Sequence, residues 1–231
     1  TLDNQTKSIV VNYLEKIPNG IDINEFGFNS KGGKNIMWAG RFIPEKGPDM
    51  VIKLAKITRR KAQLFGIIKD GFGEWFKQNL KNQIKTKADR SLISLHLNYE
   101  RLRLVKYFQT SKLFLLPTFF EEAFPLVFLE SLACGTPIVV FARGSAPEII
   151  PDGKTGFLVN PSEDDVRGNW IVKKTGLSGL CEAVEKIYSM PDEKYKLMRE
   201  ACREHAAQNF SVETMTKKYL DTYKKISRLS F

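Results

Sequence analysis

Five short apolar runs, separated by segments with helical spacing, constrain this chain more than any other feature. They are Asn35 to Gly40, Ala62 to Ile68, Leu92 to Leu97, Leu113 to Leu116 and Ile138 to Val140. After the first, Met50, Val51, Leu54 and Ile57 recur at helical intervals. A helix is expected from about Glu74 to Lys85 after the second, and another over Tyr99 to Gln109 after the third. Strands alternating with helices imply an α/β unit: a parallel sheet covered by helices on both faces. Ligands on such sheets bind beyond the carboxyl ends of the strands, so residues just after each run are the candidates for function.

The stretch from Phe119 to Val159 holds the densest set. The strand Leu113 to Leu116 stops at Pro117, polar Thr118, Glu121 and Glu122 follow, and then Phe124, Val127, Phe128 and Leu132 take up helical spacing. Pro125 suits the first turn of that helix, where a missing N–H costs nothing. The helix is expected to end near Gly135, with Thr136-Pro137 leading into the next strand. A strand, a short loop and a helix N-terminus make a natural seat for phosphate. Glu122 lies just before the helix and Glu130 about two turns inside it. Their eight-residue spacing puts both on roughly one face at about 100° per residue. Carboxylates repel phosphate but accept hydrogen bonds from neutral hydroxyls. A sugar nucleotide offers that pattern, with hydroxyl-rich rings on both sides of a diphosphate. Taken alone, the pair also reads as a solvated helix residue and an acid that stabilises the helix dipole.

A second cradle follows the first strand: Gly40-Arg41-Phe42-Ile43-Pro44-Glu45-Lys46-Gly47, then a helix. A glycine turn carrying two cations between strand and helix suits an anion. Arg41, Lys46, Glu122 and Glu130 all fall just after a strand end and are expected at one edge of the sheet. Pro44 and Glu45 are expected to shape the loop.

These segments resemble the donor-binding signature of retaining glycosyltransferases of the GT-B fold, family 4 or group 1. That signature is Glu, seven residues, Glu, then Ala-x-Gly-x-Pro-Val and a Gly-rich turn ending in Glu. The chain has Glu122, Glu130, Ala133-Cys134-Gly135-Thr136-Pro137-Ile138, Arg143-Gly144-Ser145-Ala146-Pro147-Glu148 and Asp152-Gly153-Lys154-Thr155-Gly156-Phe157. Gly40 to Gly47 is similar to the family's Gly-Arg-x-x-x-x-Lys-Gly, and Pro18-Asn19-Gly20-Ile21-Asp22 to its hinge. Ala123 and Pro125 stand where many members have Gly, and Ser145 replaces the second Gly of a common pair. These departures narrow backbone freedom near the donor.

The resemblance implies the C-terminal half of a GT-B fold. Residues 27–231 would be a Rossmann-like donor-binding domain with C-terminal helices, and residues 1–26 a hinge or linker from a missing N-terminal domain. It implies a retaining, hexosyltransferase-type enzyme moving a sugar from a nucleoside-diphosphate sugar to an acceptor hydroxyl, inactive as this isolated chain. The acceptor would be a glycan, a lipid-linked sugar or a small molecule. By this likeness Arg41 and Lys46 neutralise the leaving diphosphate with amides near Phe124, Pro125, Leu126 and Val127. Glu130 holds ribose hydroxyls and Glu122 the transferred sugar. No metal or other cofactor is expected, because the cations replace it. Two rival readings stay open: a non-catalytic nucleotide-sugar-binding subunit completed by a partner chain, and another GT-B enzyme such as an epimerase or a phosphorylase.

Composition bounds the rest. No run approaches the roughly 20 apolar residues of a spanning helix, and no signal-peptide pattern opens the chain. Cys134, Cys181 and Cys202 are odd in number without metal-like spacing, which favours reduced thiols in a cytoplasmic protein. The net charge of +10 comes largely from scattered lysines such as Lys81, Lys85, Lys87, Lys217, Lys218, Lys224 and Lys225. Solvated surface is the first reading, and peripheral contact with the anionic inner membrane surface the second. No nucleic-acid recognition motif is present. His96 falls where the family often has Gly near the nucleobase and is given no role. Residues 160–174 read as an exposed loop, followed by three helices over about Leu177 to Ser189, Asp192 to Gln208 and Val212 to Ser227. Ser211 is the expected N-cap of the last.

Overall fold

The computed structural model describes residues 15–229, so the reading of Thr1 to Tyr13 as a segment without a partner lies outside the described residues. One parallel sheet contains β1 (Asn35–Arg41), β2 (Ala62–Ile67), β3 (Ile93–Leu97), β4 (Ser111–Leu116), β5 (Ile138–Phe141) and β6 (Gly156–Val159), in the order β3-β2-β1-β4-β5-β6. The helices are α1 (Pro48–Thr58), α2 (Gly73–Asn79), α3 (Lys87–Leu92), α4 (Leu104–Gln109), α5 (Leu126–Ala133), α6 (Ala146–Ile149), α7 (Gly176–Tyr188), α8 (Asp192–Phe210) and α9 (Val212–Leu229). This is the Rossmann-like α/β fold expected from the sequence. No helix among the described residues is long and apolar enough to cross a membrane.

The strands are continuous apolar runs because both faces of the sheet are covered. Ile36, Met37, Trp38, Leu113 to Leu116 and Ile138 to Phe141 are essentially inaccessible to solvent. Burying each large side chain contributes about 1.5–3 kcal/mol before entropy is subtracted. β6 was not expected as a strand. It is four residues long and starts at Gly156, whose Cβ would lie 1.9 Å from the Ile138 carbonyl oxygen, so close strand packing sets its composition.

Several expected elements shift for local reasons. Pro125 is the N-cap of α5, extended at φ −77° and ψ 111°, rather than a first-turn residue. The helix expected over Glu74 to Lys85 stops at Asn79. Leu80 turns inward, a 3-10 turn spans Lys81–Gln83, and α3 starts afresh under a capping box in which Thr86 and Asp89 bond each other's backbone amides. Ile57 is 62% exposed, and Ile52 and Ala55 bury α1 in its place. The three C-terminal helices form as expected, with the Ser211 hydroxyl accepting from the Thr214 amide at 3.1 Å. Ile21 bridges to Ser211, and Ile21, Ile23 and Phe26 join the core.

Arg199 of α8 is wholly buried with no acidic partner among the described residues. Its guanidinium donates to the carbonyls of Asn29 (2.6 Å), Gln109 (3.1 Å), Ser111 (3.1 Å) and Cys134 (3.2 Å), and to the hydroxyls of Tyr195 and Thr136. The Gln109 and Cys134 carbonyls sit at the C-terminal ends of α4 and α5, where backbone dipoles favour a cation.

The chain runs outward from β1 to β2 and β3, then returns beside β1 as β4 and runs the other way. A topological switch therefore lies between β1 and β4, and its crevice opens beyond their C-terminal ends. Gly47 adopts φ +65° there, and a Cβ on it would meet the Pro117 carbonyl oxygen at 2.4 Å. The connection after β1 is pressed against the end of β4.

Candidate functional site

Two loops, one after β1 and one after β4, build the crevice. Arg41 is the last residue of β1, exposed, and its side chain makes no hydrogen bond or ion pair with the described residues. Phe42 and Ile43 are buried, and a 3-10 turn over Pro44–Lys46 follows. The Trp38 indole fixes this turn by donating to the Lys46 carbonyl at 3.1 Å. The Glu45 carbonyl accepts from the Phe119 amide (2.8 Å) and the Thr118 hydroxyl (3.2 Å), joining the two loops. Pro44 and Glu45 thus shape the loop, as expected.

The Lys46 ammonium forms an ion pair with Glu122 across the crevice, with side chains only 12% and 18% exposed. Lys46 also lies 5.9 Å from the centre of the Phe120 ring, and the Thr118 hydroxyl stands 3.5 Å from the Glu122 carboxylate. Two segments 76 residues apart in sequence thereby place opposite charges at one point.

The tip of α5 supplies amides. Those of Phe124, Leu126 and Val127 have no hydrogen-bond partner among the described residues, while Phe128 donates to the Pro125 carbonyl at 3.0 Å. Pro125 has no N–H to give. The Phe124 ring turns away to meet Phe210 edge-on at 5.8 Å, and Leu126 is 40% exposed. Beyond Phe124 a cavity of about 650 Å³ opens, lined by Ile17, Pro18, Ala123 and Tyr219 among others.

Glu130 is not the solvated helix residue of the plainer reading. It is 5% exposed, and its carboxylate accepts from Arg101 Nε at 2.6 Å. A carboxylate this buried requires a partner. Because α5 begins at Leu126, Glu122 lies in irregular backbone and the eight-residue spacing carries no helical phase. Each acid has its own cation: Lys46 for Glu122, Arg101 for Glu130. Arg101, in the turn Arg101–Arg103 after β3, was not singled out from the sequence. A cation just beyond a strand end at the same edge of the sheet was the available signal.

The turn after β5 supports the Glu122 loop from below. Gly144 has φ +55°, and a Cβ there would approach the Glu122 amide nitrogen and carbonyl oxygen to 2.4 Å. Its amide donates to Glu121 Oε2 at 2.7 Å, and the Ser145 amide donates to the Glu122 carbonyl at 2.9 Å. Ser145 has an ordinary φ of −83°, so a side chain in place of glycine causes no backbone strain.

His96 stacks on Phe65 at 4.5 Å, with Tyr99 and Tyr107 around it. Burial pushes its pKa down, which favours a neutral packing residue.

Comparison with known proteins identifies the family. The family model for glycosyl transferases group 1 matches residues 21–175. The D-inositol 3-phosphate glycosyltransferase of Mycobacterium avium is 31% identical over 199 residues, which cover 84% of this chain and 42% of that protein. The chain spans less than half the length of the curated relatives it matches. Among solved structures, Anabaena Alr3699/HepE in complex with UDP and glucose superimposes with a TM-score of 0.74 at 20% identity, covering 91% of this chain and 57% of that one. The C-terminal domain of LpcC from Francisella tularensis, a glycosyl transferase group 1 family protein, matches with a TM-score of 0.66 at 18% identity, over 84% of this chain and 100% of that one. The motif-bearing loops, their meeting at the β1/β4 switch and the match over residues 21–175 agree: the chain belongs to the glycosyl transferases group 1 family.

Proposed function

We propose that this chain is the donor-binding part of a retaining glycosyltransferase that moves a sugar from a nucleoside diphosphate to an acceptor hydroxyl. The observation that carries the reading is the Lys46–Glu122 pair, held across the switch by loops from its two flanking strands. Without ligand, each side chain satisfies the other. A bound donor exchanges these partners: its diphosphate takes Lys46, Arg41 and the amides of Phe124, Leu126 and Val127, and its sugar hydroxyls donate to Glu122. Hydrogen bonds to charged groups contribute about 1.5–3 kcal/mol each. The same cations stabilise the charge that develops on the departing nucleotide, the largest electrostatic need of the reaction. Glu130 accepts from the ribose hydroxyls while keeping Arg101 beside it. Two cations and a helix tip meet the diphosphate's charge, so the transfer proceeds without a metal ion.

The HepE complex with UDP and glucose supports a nucleotide ligand for this fold. The donor domain takes in residues 27–231 together with Ile21, Ile23 and Phe26, which pack into its core, and the acceptor binds on a facing domain across the cleft from Glu122. The isolated chain binds donor but does not turn it over, and turnover by this polypeptide with hydrolysis excluded would refute that part. A thermal-shift and calorimetry panel of nucleoside diphosphates and their sugars tests the core reading. The parent chain is expected to bind at least one pair, with Lys46→Met and Arg41→Ala weakening both members. No binding across the panel, or equal binding by parent and variants, overturns it.

A further inference from the structure

The segment 160–175 between β6 and α7 has no regular secondary structure, yet it is firmly built in. Asn160 organises it: Oδ1 accepts from the Arg167 amide (2.8 Å) and the Trp170 indole (3.2 Å), and Nδ2 donates to the Gly168 carbonyl (3.0 Å). Asp152 accepts from the Ile171 amide at 2.7 Å, and Val172 is buried. The loop is exposed over most of its length, as expected, yet fixed in place, and it presents Asp165 and Arg167 to Arg143 and Glu121 beside the Glu122 loop.

Four side chains from three separate segments close a ring of alternating charge there. Glu121 Oε1 lies 3.0 Å from Arg143 Nη1 and 3.0 Å from Arg167 Nη2, and both arginines also pair with Asp165. Each acid touches both cations, and the ring sums to zero charge. Its contribution at an anion-binding crevice is thus geometric and adds no attraction for phosphate. Isolated surface ion pairs contribute little, but a partly buried network with several hydrogen bonds per member holds its shape. Hydrogen bonding from Arg167 also keeps the Asp165 carboxyl below the usual carboxylate range.

The ring grips the loop that carries Glu122. Arg143 donates to the Phe119 carbonyl at 3.3 Å, while Glu121 is held by both arginines and by the Gly144 amide. Glu122 stands in irregular backbone between β4 and α5, so no helix or strand of its own fixes its direction. We infer that Arg143, Asp165 and Arg167 are positioning residues that aim Glu122 at the transferred sugar, acting through its neighbour Glu121. What Glu122 meets rests on the donor-site reading above, whereas the aiming is a property of the chain itself.

Two measurements on the full chain test this. Amide hydrogen exchange needs no ligand. Arg167→Gln is expected to speed exchange at the amides of Phe119, Gly144 and Ser145 about tenfold and leave β1 and β4 amides unchanged, with Arg167→Lys recovering part of the protection. Unchanged exchange at those three amides overturns the positioning role. Calorimetry then uses the tightest-binding sugar nucleotide of the panel and its parent nucleoside diphosphate. Arg167→Gln is expected to weaken the former about fivefold and the latter less than twofold, and the difference should vanish in the Glu122→Gln background. Equal weakening of both ligands shows that the ring merely supports the fold. Absence of binding by the parent chain refutes the donor-site reading and the sugar as target, and the exchange result then decides whether Glu122 is held by the ring.

Discussion

The two acid–cation pairs at the crevice are built in opposite ways. Lys46 and Glu122 are both largely withdrawn from water, and each stands on a loop bonded to the other loop through the Glu45 carbonyl. In the second pair Glu130 is buried inside a helix, but Arg101 is half exposed on a turn after β3. Withdrawing both partners makes a pair rigid and costly to break, because the survivor is left buried and unpaired. With one partner half in water, only the cation can be taken up by solvent, and the buried acid still requires it. The first pair is suited to exact placement of two groups, and the second to an acid fixed by its helix and held by a cation that reaches in from the solvent side.

The largest effect that would sharpen this contrast is at Lys46. Lys46→Met should weaken binding of a nucleoside diphosphate by roughly 10- to 100-fold, the equivalent of a charged hydrogen bond of about 1.5–3 kcal/mol. Calorimetry checks it, and a loss below threefold would place the diphosphate elsewhere. Gly144→Ala comes next. It adds a Cβ that meets the Glu122 backbone at 2.4 Å at a residue with φ +55°, so the fold should lose about 1–3 kcal/mol. Denaturant unfolding reads this directly, and a neutral result would mean that the turn after β5 can move away. Arg101→Ala should matter less for the nucleotide, because Arg101 is the half-exposed member of its pair, although its loss leaves Glu130 buried without a cation. Nucleotide affinity should change by less than about fivefold, and stability should fall by about 1–2 kcal/mol because a buried acceptor loses its donor. An effect as large as that of Lys46→Met would erase the contrast between the pairs.

The smallest effect concerns pH. The Asp165 carboxyl is held below its ordinary value, chiefly by the hydrogen bond from Arg167, against the cost of burial, and then by the positive charge of Arg143. A lowered folded-state pKa means that the stabilisation is fully present above the unfolded value of about 3.9 and disappears as pH falls through the lower folded value. The stability difference between parent and Asp165→Asn should therefore be flat from pH 8 to about 5 and shrink only below about 4. A difference that shrinks near neutral pH would remove Asp165 from the ring.

Much of the frame was legible because local rules wrote it. Continuous apolar runs marked five of the six strands, and Arg41, Lys46, Glu122 and Glu130 fell after strand ends, where the parallel sheet collects its loops. β6 escaped because four residues beginning with glycine carry too little pattern. The shared helical face expected of Glu122 and Glu130 failed for a different reason: the N-cap at Pro125 puts Glu122 outside the helix, and periodicity ends where the helix does. Arg101 and the ring of Glu121, Arg143, Asp165 and Arg167 depend on segments brought together only by the folded sheet. No spacing rule connects a turn after β5 with an irregular excursion after β6.

Arg199 draws its oxygen ligands from the loop at Asn29, the junction of α4 with β4, and the end of α5. Lysine could not replace it, since a single ammonium has three donors and no planar fork to span such widely placed carbonyls. Helix α8 thus works like the keystone of an arch: shortening the polypeptide from its far end would release several connections beneath the crevice in one step, even though every strand would remain.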